Sequence, residues 1–437
     1  MNRPAVQLAT PWHFPTPTVV RLDSGLSVWH FHLPGQHVAT FEVVLPTQLT
    51  YEPRDKEGVA NVALHAIDEG THQHPDGGIG ELLEAQGATL HGGTHHRYTT
   101  FGGQSPSRRL TAVLPLFAEV LTQPAYSERD VAHHVEAQIA SHESRLASPG
   151  AANRLALRAA LYDPTHRDSR PTSGLPETLQ RITAADAAQW HRSHFSQVGA
   201  TLVIAGAVTL DEVLEGIGGW HSGQPAAQGL RPTSPLQGPS VVVVDHPDAV
   251  QATVTLASRT VTRNDPRWPS LRVAGHAVAG AFASRLNLEL RERLGYTYGI
   301  RGGFSPGVDE GQFSVGGSVR TEVAGDAVAR MLDGLALAEP LSAAETDDAR
   351  DFLVGIAPLA NETSADIVAQ GSALAGSGIW PDYLNEHFAA LKLVTAEGAT
   401  AAFREVVDPT HLTIAVTGAA AELVPALEQL GLRPQVV

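Results

Sequence analysis

Arg291, Gly295 and Tyr298 place a permanent cation and a phenol on the two sides of one helix stop. The stretch from Ser284 to Phe304 reads SRLNLELRERLGYTYGIRGGF. Leu286, Leu288 and Leu290 are among the apolar positions of an amphipathic helix, and Gly295 is free to take the left-handed conformation that ends it. Tyr296-Thr297-Tyr298 has strand composition. Arg291 then falls in the last helical turn and Tyr298 at the start of the strand. A phenol so placed can donate to a developing oxyanion, and a fixed guanidinium can hold a carbonyl. The plain structural reading of the same residues is a capped helix with a solvated arginine and a half-buried tyrosine. Tyr296 competes for the phenol role, because residues two apart share a strand face. Glu292 and Arg293 read as helix-surface charges, and Gly302-Gly303 after the strand as a turn rather than a hinge.

Histidine is the second source of chemistry, with 21 in the chain. His65, His95, His96, His133, His134 and His142 could supply metal ligands, imidazole being the commonest. His133 and His134 are adjacent, however, and so point to different faces of a helix. His72 and His74 lie in a polar loop and read as solvated. The chain has no cysteine, which excludes disulfides, thiolate metal sites and a cysteine nucleophile.

A chain of 437 residues implies two or three domains, and 43% hydrophobic content is ample for their cores. The balance of 30 basic against 46 acidic residues, −16 overall, disfavours nucleic acid and anionic membranes as partners. The N-terminal MNRPAVQLATPWHFPTPTVV lacks the apolar core of a signal peptide, and no apolar run has the length of a bilayer span. The expectation is a cytoplasmic chain; a periplasmic chain trimmed of its signal would read the same way.

These residues must be carried by regular elements. Thr18 to Pro46 alternates as a hairpin and a further strand, with Asp23-Ser24-Gly25 at the turn. Residues 58–69, 78–86, 107–121, 128–146, 151–161 and 184–194 have helical patterns; 87–104 reads as two strands separated around the glycines, and 200–206 as a buried strand. Residues 163–176 are loop-like. After 221–239, rich in Gly, Pro, Ser and Gln and without periodicity, the order restarts: two strands and a long helix from Pro269 to Arg293. ITAADAAQWHRSHFSQVGATLVIAG, from Ile182, aligns without gaps with VTAEGATAAFREVVDPTHLTIAVTG, from Val394. A repeat of roughly 200 residues is a domain duplication. The expected fold is α/β (α+β): residues 1–220 and 240–437 form similar domains, each a mostly antiparallel sheet backed by helices, joined as a clamshell through the linker 221–239.

The LDSGLSV hairpin, GVANVALHAIDEGT, LYDPTHRDSRPTSGLPETLQRITAAD and SRLNLELRERLGYTYG together resemble the M16 metallopeptidases, the family of pitrilysin and mitochondrial processing peptidase. The resemblance covers nearly the whole chain and is closest to the bacterial two-domain, M16B-type branch. It implies a zinc helix in the first domain with the order H-x-x-E-H. Positions i and i+4 share a helix face, so both histidines bind one zinc and the glutamate polarises the attacking water. Here the matching stretch is Asn61-Val62-Ala63-Leu64-His65: Asn61 replaces the first ligand, Leu64 replaces the general base, and His65 remains. The register of the third ligand, a glutamate on a later helix, points to Ser141, with Glu136 and Glu143 off position. On the substrate-binding edge strand, His91 and Gly92 replace the family's Asn-Ala pair, and adjacent glycines weaken that edge.

Arg291, Gly295 and Tyr298 match the family's pattern. In two-chain members one subunit holds zinc and the other supplies such an arginine and tyrosine across a shared cavity. The resemblance therefore implies a catalytically incomplete subunit, without its own metal or cofactor, whose Arg291 and Tyr298 bind peptide substrate in trans beside a zinc-bearing H-x-x-E-H partner. A dimer is expected, a heterodimer by this resemblance, and a homodimer of the isolated chain is compatible with it. The alternative is a peptide-binding or scaffold protein that kept the fold and lost the enzyme.

Overall fold

Strand and helix signals resolve into two sheets of six strands each in a computed structural model, which describes residues 12–218, 220 and 240–437. In the first half these are β1 (Thr18–Arg21), β2 (Ser27–His32), β3 (Val38–Leu45), α1 (Val59–His65), α2 (Gly78–Ala85), β4 (Thr89–Thr94), β5 (Thr99–Pro106), α3 (Leu110–Thr122), α4 (Glu128–Leu146), α5 (Pro149–Leu161), α6 (Pro176–Leu179), α7 (Ala184–His194), β6 (Thr201–Gly206) and α8 (Leu210–Gly216). The second half has β7 (Val241–Asp245), β8 (Gln251–Thr260), α9 (Trp268–Gly275), α10 (Arg285–Asn287), β9 (Arg301–Ser305), β10 (Gly311–Arg320), α11 (Ala324–Leu335), α12 (Ala343–Gly355), α13 (Ser364–Gly376), α14 (Tyr383–Leu391), α15 (Ala396–Val406), β11 (Thr413–Gly418), α16 (Ala420–Glu428) and β12 (Pro434–Val436). The linker expected at 221–239 lies outside the described residues.

The sheet orders are β1-β2-β6-β3-β5-β4 and β12-β7-β11-β8-β10-β9. Five strands correspond one to one. In both sheets the repeat's strand pairs parallel on one side, β2–β6 and β7–β11, and antiparallel on the other, β3–β6 and β8–β11. The outermost strand differs: β1 runs antiparallel to β2, whereas β12, from the chain's end, runs parallel to β7. Within the repeat, α7 and α15 follow threonine N-caps, Thr183 and Thr395, whose side chains accept from the backbone N–H of Asp186 and Gly398. Full capping boxes also start α8, α12 and α13.

Each sheet is covered on one face by helices of its own half and on the other by a helix from the opposite half. Val28, Phe41, Val43, Leu202 and Ile204 pack with α1, α3 and α7, while the alternating residues Trp29, Phe31, Val44 and Val203 pack against Ile367, Val368 and Leu374 of α13. Strands alternate sides, so a two-sided sheet needs two apolar coats. Reciprocally, Leu157 and Leu161 of α5 cover Val242, Ala257 and Ala415. Asn153 secures that helix: its Nδ2 donates to Thr253 O (3.1 Å), Ala415 O (3.0 Å) and Thr417 Oγ1 (3.2 Å), and its Oδ1 accepts from Thr255 Oγ1 (2.7 Å). Burying each large apolar side chain contributes about 1.5–3 kcal/mol, so this exchange ties the halves together. Arg97 adds a clamp, forking onto Asp168 (2.8 and 2.7 Å) and reaching Asp309 of the second half.

Four expectations are corrected. The long helix 269–293 is interrupted: wide, π-type turns run over His276–Gly280 and Leu288–Arg293, with extended backbone at Ala281 and Ser284 between them. Asn287 holds the break, its Nδ2 donating to Ala281 O and Ile300 O and its Oδ1 accepting from Ile300 N–H. Tyr296–Tyr298 is not a strand; only Thr297 bridges, to Val319, and β9 begins at Arg301. The Thr297 hydroxyl, bonded to Ser318 O and accepting from Gly299 N–H, makes a turn instead. Gly302-Gly303, read as a turn, lie inside β9. Gly92-Gly93 lie inside β4, and the turn to β5 falls at His95–Tyr98, closed by His95 N–H to Tyr98 O (2.8 Å).

Candidate functional site

The helix that aligns with the zinc helix, α1, is held at both ends. Buried Glu52 accepts from the N–H groups of Gly58 and Ala60 (both 3.0 Å) and pairs with buried Arg167 (2.8 Å). Burial pushes the Glu52 carboxyl up, against the opposing pull of Arg167 and those two N–H groups. At the other end Tyr126 Oη donates to Ala63 O (3.0 Å). The 163–176 segment, read as a loop, is thus part of the helix's foundation. Arg170 doubles the contact by pairing with Glu57.

From that base α1 presents Asn61 and Leu64 inward. Asn61 Nδ2 donates to Thr94 Oγ1 of β4 (2.9 Å), and its Oδ1 accepts from Gln138 Nε2 of α4 (2.6 Å). The structure therefore sets Gln138 against Asn61; Ser141, the position counted from sequence for the third ligand, lies three positions further along the same helix.

Leu64 is buried and belongs to the first core. A Cβ at position 92 would stand 3.0 Å from Leu64 Cδ1 and 3.0 Å from Thr100 O. The glycine where the family carries alanine thus makes room for a leucine where the family carries glutamate. β4 remains the outer strand of its sheet, bonded only to β5 within it.

His65 lies at the rim, its ring stacked 6.3 Å from that of His134, which reaches Glu69 Oε1 (2.8 Å). Desolvation, then the neighbouring His134, holds the His65 pKa below the ordinary imidazole value, so it is neutral at pH 7. The other histidines disperse. His133 is exposed; His142 is buried against α5; His95 stacks on Tyr98 (4.3 Å); His96 is bonded to Arg170 O (3.1 Å). His72 is exposed, but His74 is not simply solvated, since its Nδ1 meets Glu119 (2.9 Å). Among the described residues no three His, Asp or Glu side chains converge as a metal site. The groups at the zinc-helix position are two carboxamides bonded to each other, an isobutyl group and one imidazole. That donor set does not fit zinc, which is held by imidazole, thiolate or carboxylate.

At the second candidate, Gly295 has φ +64° and ends the 288–293 turn as expected, with its N–H on Arg291 O and Tyr296 N–H on Leu290 O. Arg291 lies over the ring of Phe282, guanidinium carbon 3.6 Å from the centroid, and bonds Glu292 Oε1 (2.7 and 3.0 Å). Phe282, itself 79% exposed, was not singled out by sequence; an aromatic nine positions from the arginine across a helix break has no periodic signal. The two phenols divide. Tyr296 donates to Asp326 Oδ2 (2.9 Å), which also raises its pKa, whereas Tyr298 is 94% exposed. The turn thus presents an aromatic-backed guanidinium and an open hydroxyl.

The family model for Insulinase (Peptidase family M16) matches residues 28–168, and that for Peptidase M16 inactive domain matches 181–353. An "uncharacterized zinc protease" of Mycobacterium tuberculosis is 26% identical over 309 residues, 68% of this chain and 69% of that protein. One from Rickettsia bellii is 22% identical over 303 residues, covering 68% and 72%. Among solved structures, a peptidase M16 inactive domain from Pseudomonas fluorescens superposes with TM-score 0.84 at 22% identity, covering 92% of this chain and 98% of the other. A chain of complex III2 from Candida albicans does so with TM-score 0.78 at 13% identity, covering 96% and 100%. The same two-sheet architecture and both family models place the chain in the M16 peptidase family.

Proposed function

We propose that this chain is a catalytically incomplete subunit of a heterodimeric M16-type zinc peptidase, contributing Arg291 and Tyr298 to substrate held at a partner's H-x-x-E-H site. The observation that carries the reading is the division between the two sites. At the zinc-helix position Asn61 and Gln138 satisfy each other, and Leu64 can neither take nor give a proton. At the Gly295 turn, Tyr298 keeps its hydroxyl in solvent while the adjacent Tyr296 is tied to Asp326. Tyr298 would donate to the oxyanion formed at the partner's zinc, and Arg291, oriented by Phe282, would hold a neighbouring substrate carbonyl. Zinc belongs to the partner in this scheme, and no step here runs through a metal of this chain.

The test is reconstitution with an M16 subunit carrying an intact H-x-x-E-H helix, followed by a peptide-cleavage assay. Tyr298→Phe should lower kcat by roughly 10²-fold, the usual loss for one oxyanion donor. Arg291→Ala should lower kcat/KM by tens of fold, about 2 kcal/mol at the transition state. Unchanged turnover in both variants would leave the second reading, a non-catalytic peptide-binding or scaffold protein. The filled α1–α4 contact is equally compatible with that role.

A further inference from the structure

A cavity of about 370 Å³ opens among α9, α12, α13 and α14. Its lining includes neither the residues matching the zinc motif nor the Gly295 turn. Its charged lining residues are Arg263 and Arg272, and no aspartate or glutamate faces it. Buried guanidinium groups are normally matched by carboxylates, as Arg167, Arg170 and Arg97 are elsewhere in this chain. Here they are not. Arg263 Nε is shielded from solvent and has no hydrogen-bond partner among the described residues. Arg272 spends one N–H on Phe304 O (3.0 Å). The second cation also repels the first: after desolvation, Arg263 is the main influence lowering the Arg272 pKa.

The remaining groups point to a mixed ligand. His387, also in the lining, is held down to about 4 by burial and by the two arginines, so it adds no charge at pH 7. Tyr383 uses its hydroxyl on Arg263 O (2.8 Å), which braces the backbone there. Asn361 donates to Ala357 O (2.8 Å), and its buried Oδ1 has no hydrogen-bond partner among the described residues. Trp268, Leu353, Ile356 and Phe388 supply apolar wall. Two unmatched guanidinium groups call for a carboxylate, whose geometry they fit as planar forks, and the wall calls for an aliphatic body. The volume is in the range of small-molecule sites.

We propose that this cavity binds a small carboxylate bearing an apolar chain, with the acid group between Arg263 and Arg272 and the chain against Trp268 and Phe388. A free branched organic acid and the C-terminal apolar residue of a peptide share this chemistry. The site is independent of the role assigned to Arg291 and Tyr298.

The experiment uses the full chain alone, with calorimetric titration and thermal melting. The probes are 4-methylpentanoate for the free acid, N-acetyl-glycyl-leucine for a peptide terminus, the neutral amide of each, and inorganic phosphate. At least one acid should bind at millimolar Kd or tighter and raise Tm, and its amide should not; the tighter acid identifies the source. Arg263→Met should weaken that acid at least tenfold. It should leave the ligand-free Tm equal or higher, because it removes a cation that faces Arg272 with no carboxylate in the lining, a repulsion that outweighs its 5.9 Å contact with the Tyr383 ring. Arg263→Lys, which keeps the charge and loses the fork, should fall between. The proposal is overturned if neither acid binds, if the amides bind as well as the acids, if inorganic phosphate matches both acids, or if both Arg263 variants bind like the natural chain.

Discussion

The α1–α4 contact of the first half and the Gly295 turn of the second use polar residues in opposite ways. Asn61 is 7% exposed and both ends of its carboxamide are engaged, while Leu64 beside it is 2% exposed. Tyr298 is 94% exposed. Arg291 is oriented, and among the described residues its ion pair is with Glu292 alone. The first region has been absorbed into the core of its domain; the second projects from its own. The difference teaches that the inward face of α1 is packed as core, since the leucine has a glycine opposite it and the asparagine a glutamine. An abandoned site left open would show unpaired groups around a void. The largest test of that view is Leu64→Glu, which restores the family's residue. With Gly92 and Phe101 packed around it and no cation supplied, the carboxyl should cost about 3–5 kcal/mol, read as a lower urea midpoint. A variant of unchanged stability would mean that the α1 site is open to water and that the contrast with Tyr298 fails.

Acid should separate the two regions next. His191 of α7 packs beside Tyr126, the residue that fastens α1, and bonds Leu121 O (2.9 Å). Burial lowers its pKa to about 4, the Leu121 carbonyl opposing and Arg192 assisting. A histidine depressed in the folded state binds fewer protons there than when unfolded. Its contribution is complete above the unfolded value of 6.5 and is lost as pH falls toward 4. For one such buried group the loss is about 3 kcal/mol across that window. Urea midpoints taken from pH 7 to 4 should fall less steeply in His191→Gln than in the natural chain. Equal slopes would show that acid acts elsewhere than beneath α1.

Much of this architecture was legible in the sequence, for reasons that are local. The duplication, the capped helices α7 and α15, and the glycine that ends the 288–293 turn are each written in a few adjacent residues. What covers each element is not. The pattern of α5 marks an apolar face but not that the face crosses to the other half, and Asn153 reads as one polar residue until β8 and β11 surround it. Asn61 stood out through the H-x-x-E-H pattern, but Gln138, which bonds it from α4, did not, because a contact between two helices has no sequence spacing of its own. The wide turns at 276–280 and 288–293 depend on Asn287 reaching Ile300 across a break that leaves no composition signal. The Arg263–Arg272 cavity was invisible for the same reason: an unmatched charge is a property of neighbours.

A smaller effect measures how tightly the repacked site is knit. Asn61→Ala removes one bond to Thr94 and leaves Gln138 Nε2 without its acceptor, a loss of about 1–3 kcal/mol in denaturant titration. Asn61→Ala combined with Gln138→Leu should recover part of it, since removing both partners leaves no orphaned donor. If the double variant is worse by the sum of two independent losses, the amide pair is not the unit described.

The smallest stability effect belongs to the Gly295 turn, and it makes the functional test interpretable. Tyr298 has its side chain in water and Tyr296 already carries the hydrogen bond to Asp326, so Tyr298→Phe should change folding stability by no more than about 0.5 kcal/mol. Arg291→Ala loses its contact with Phe282 and an ion pair with an exposed glutamate, interactions worth about 1 kcal/mol together. Neither loss unfolds the chain. A roughly hundredfold fall in a reconstituted partner's turnover, beside an unmoved urea midpoint for Tyr298→Phe, would then assign the hydroxyl to the reaction. A midpoint that drops with turnover would assign it to the fold, and the two regions would cease to differ in kind.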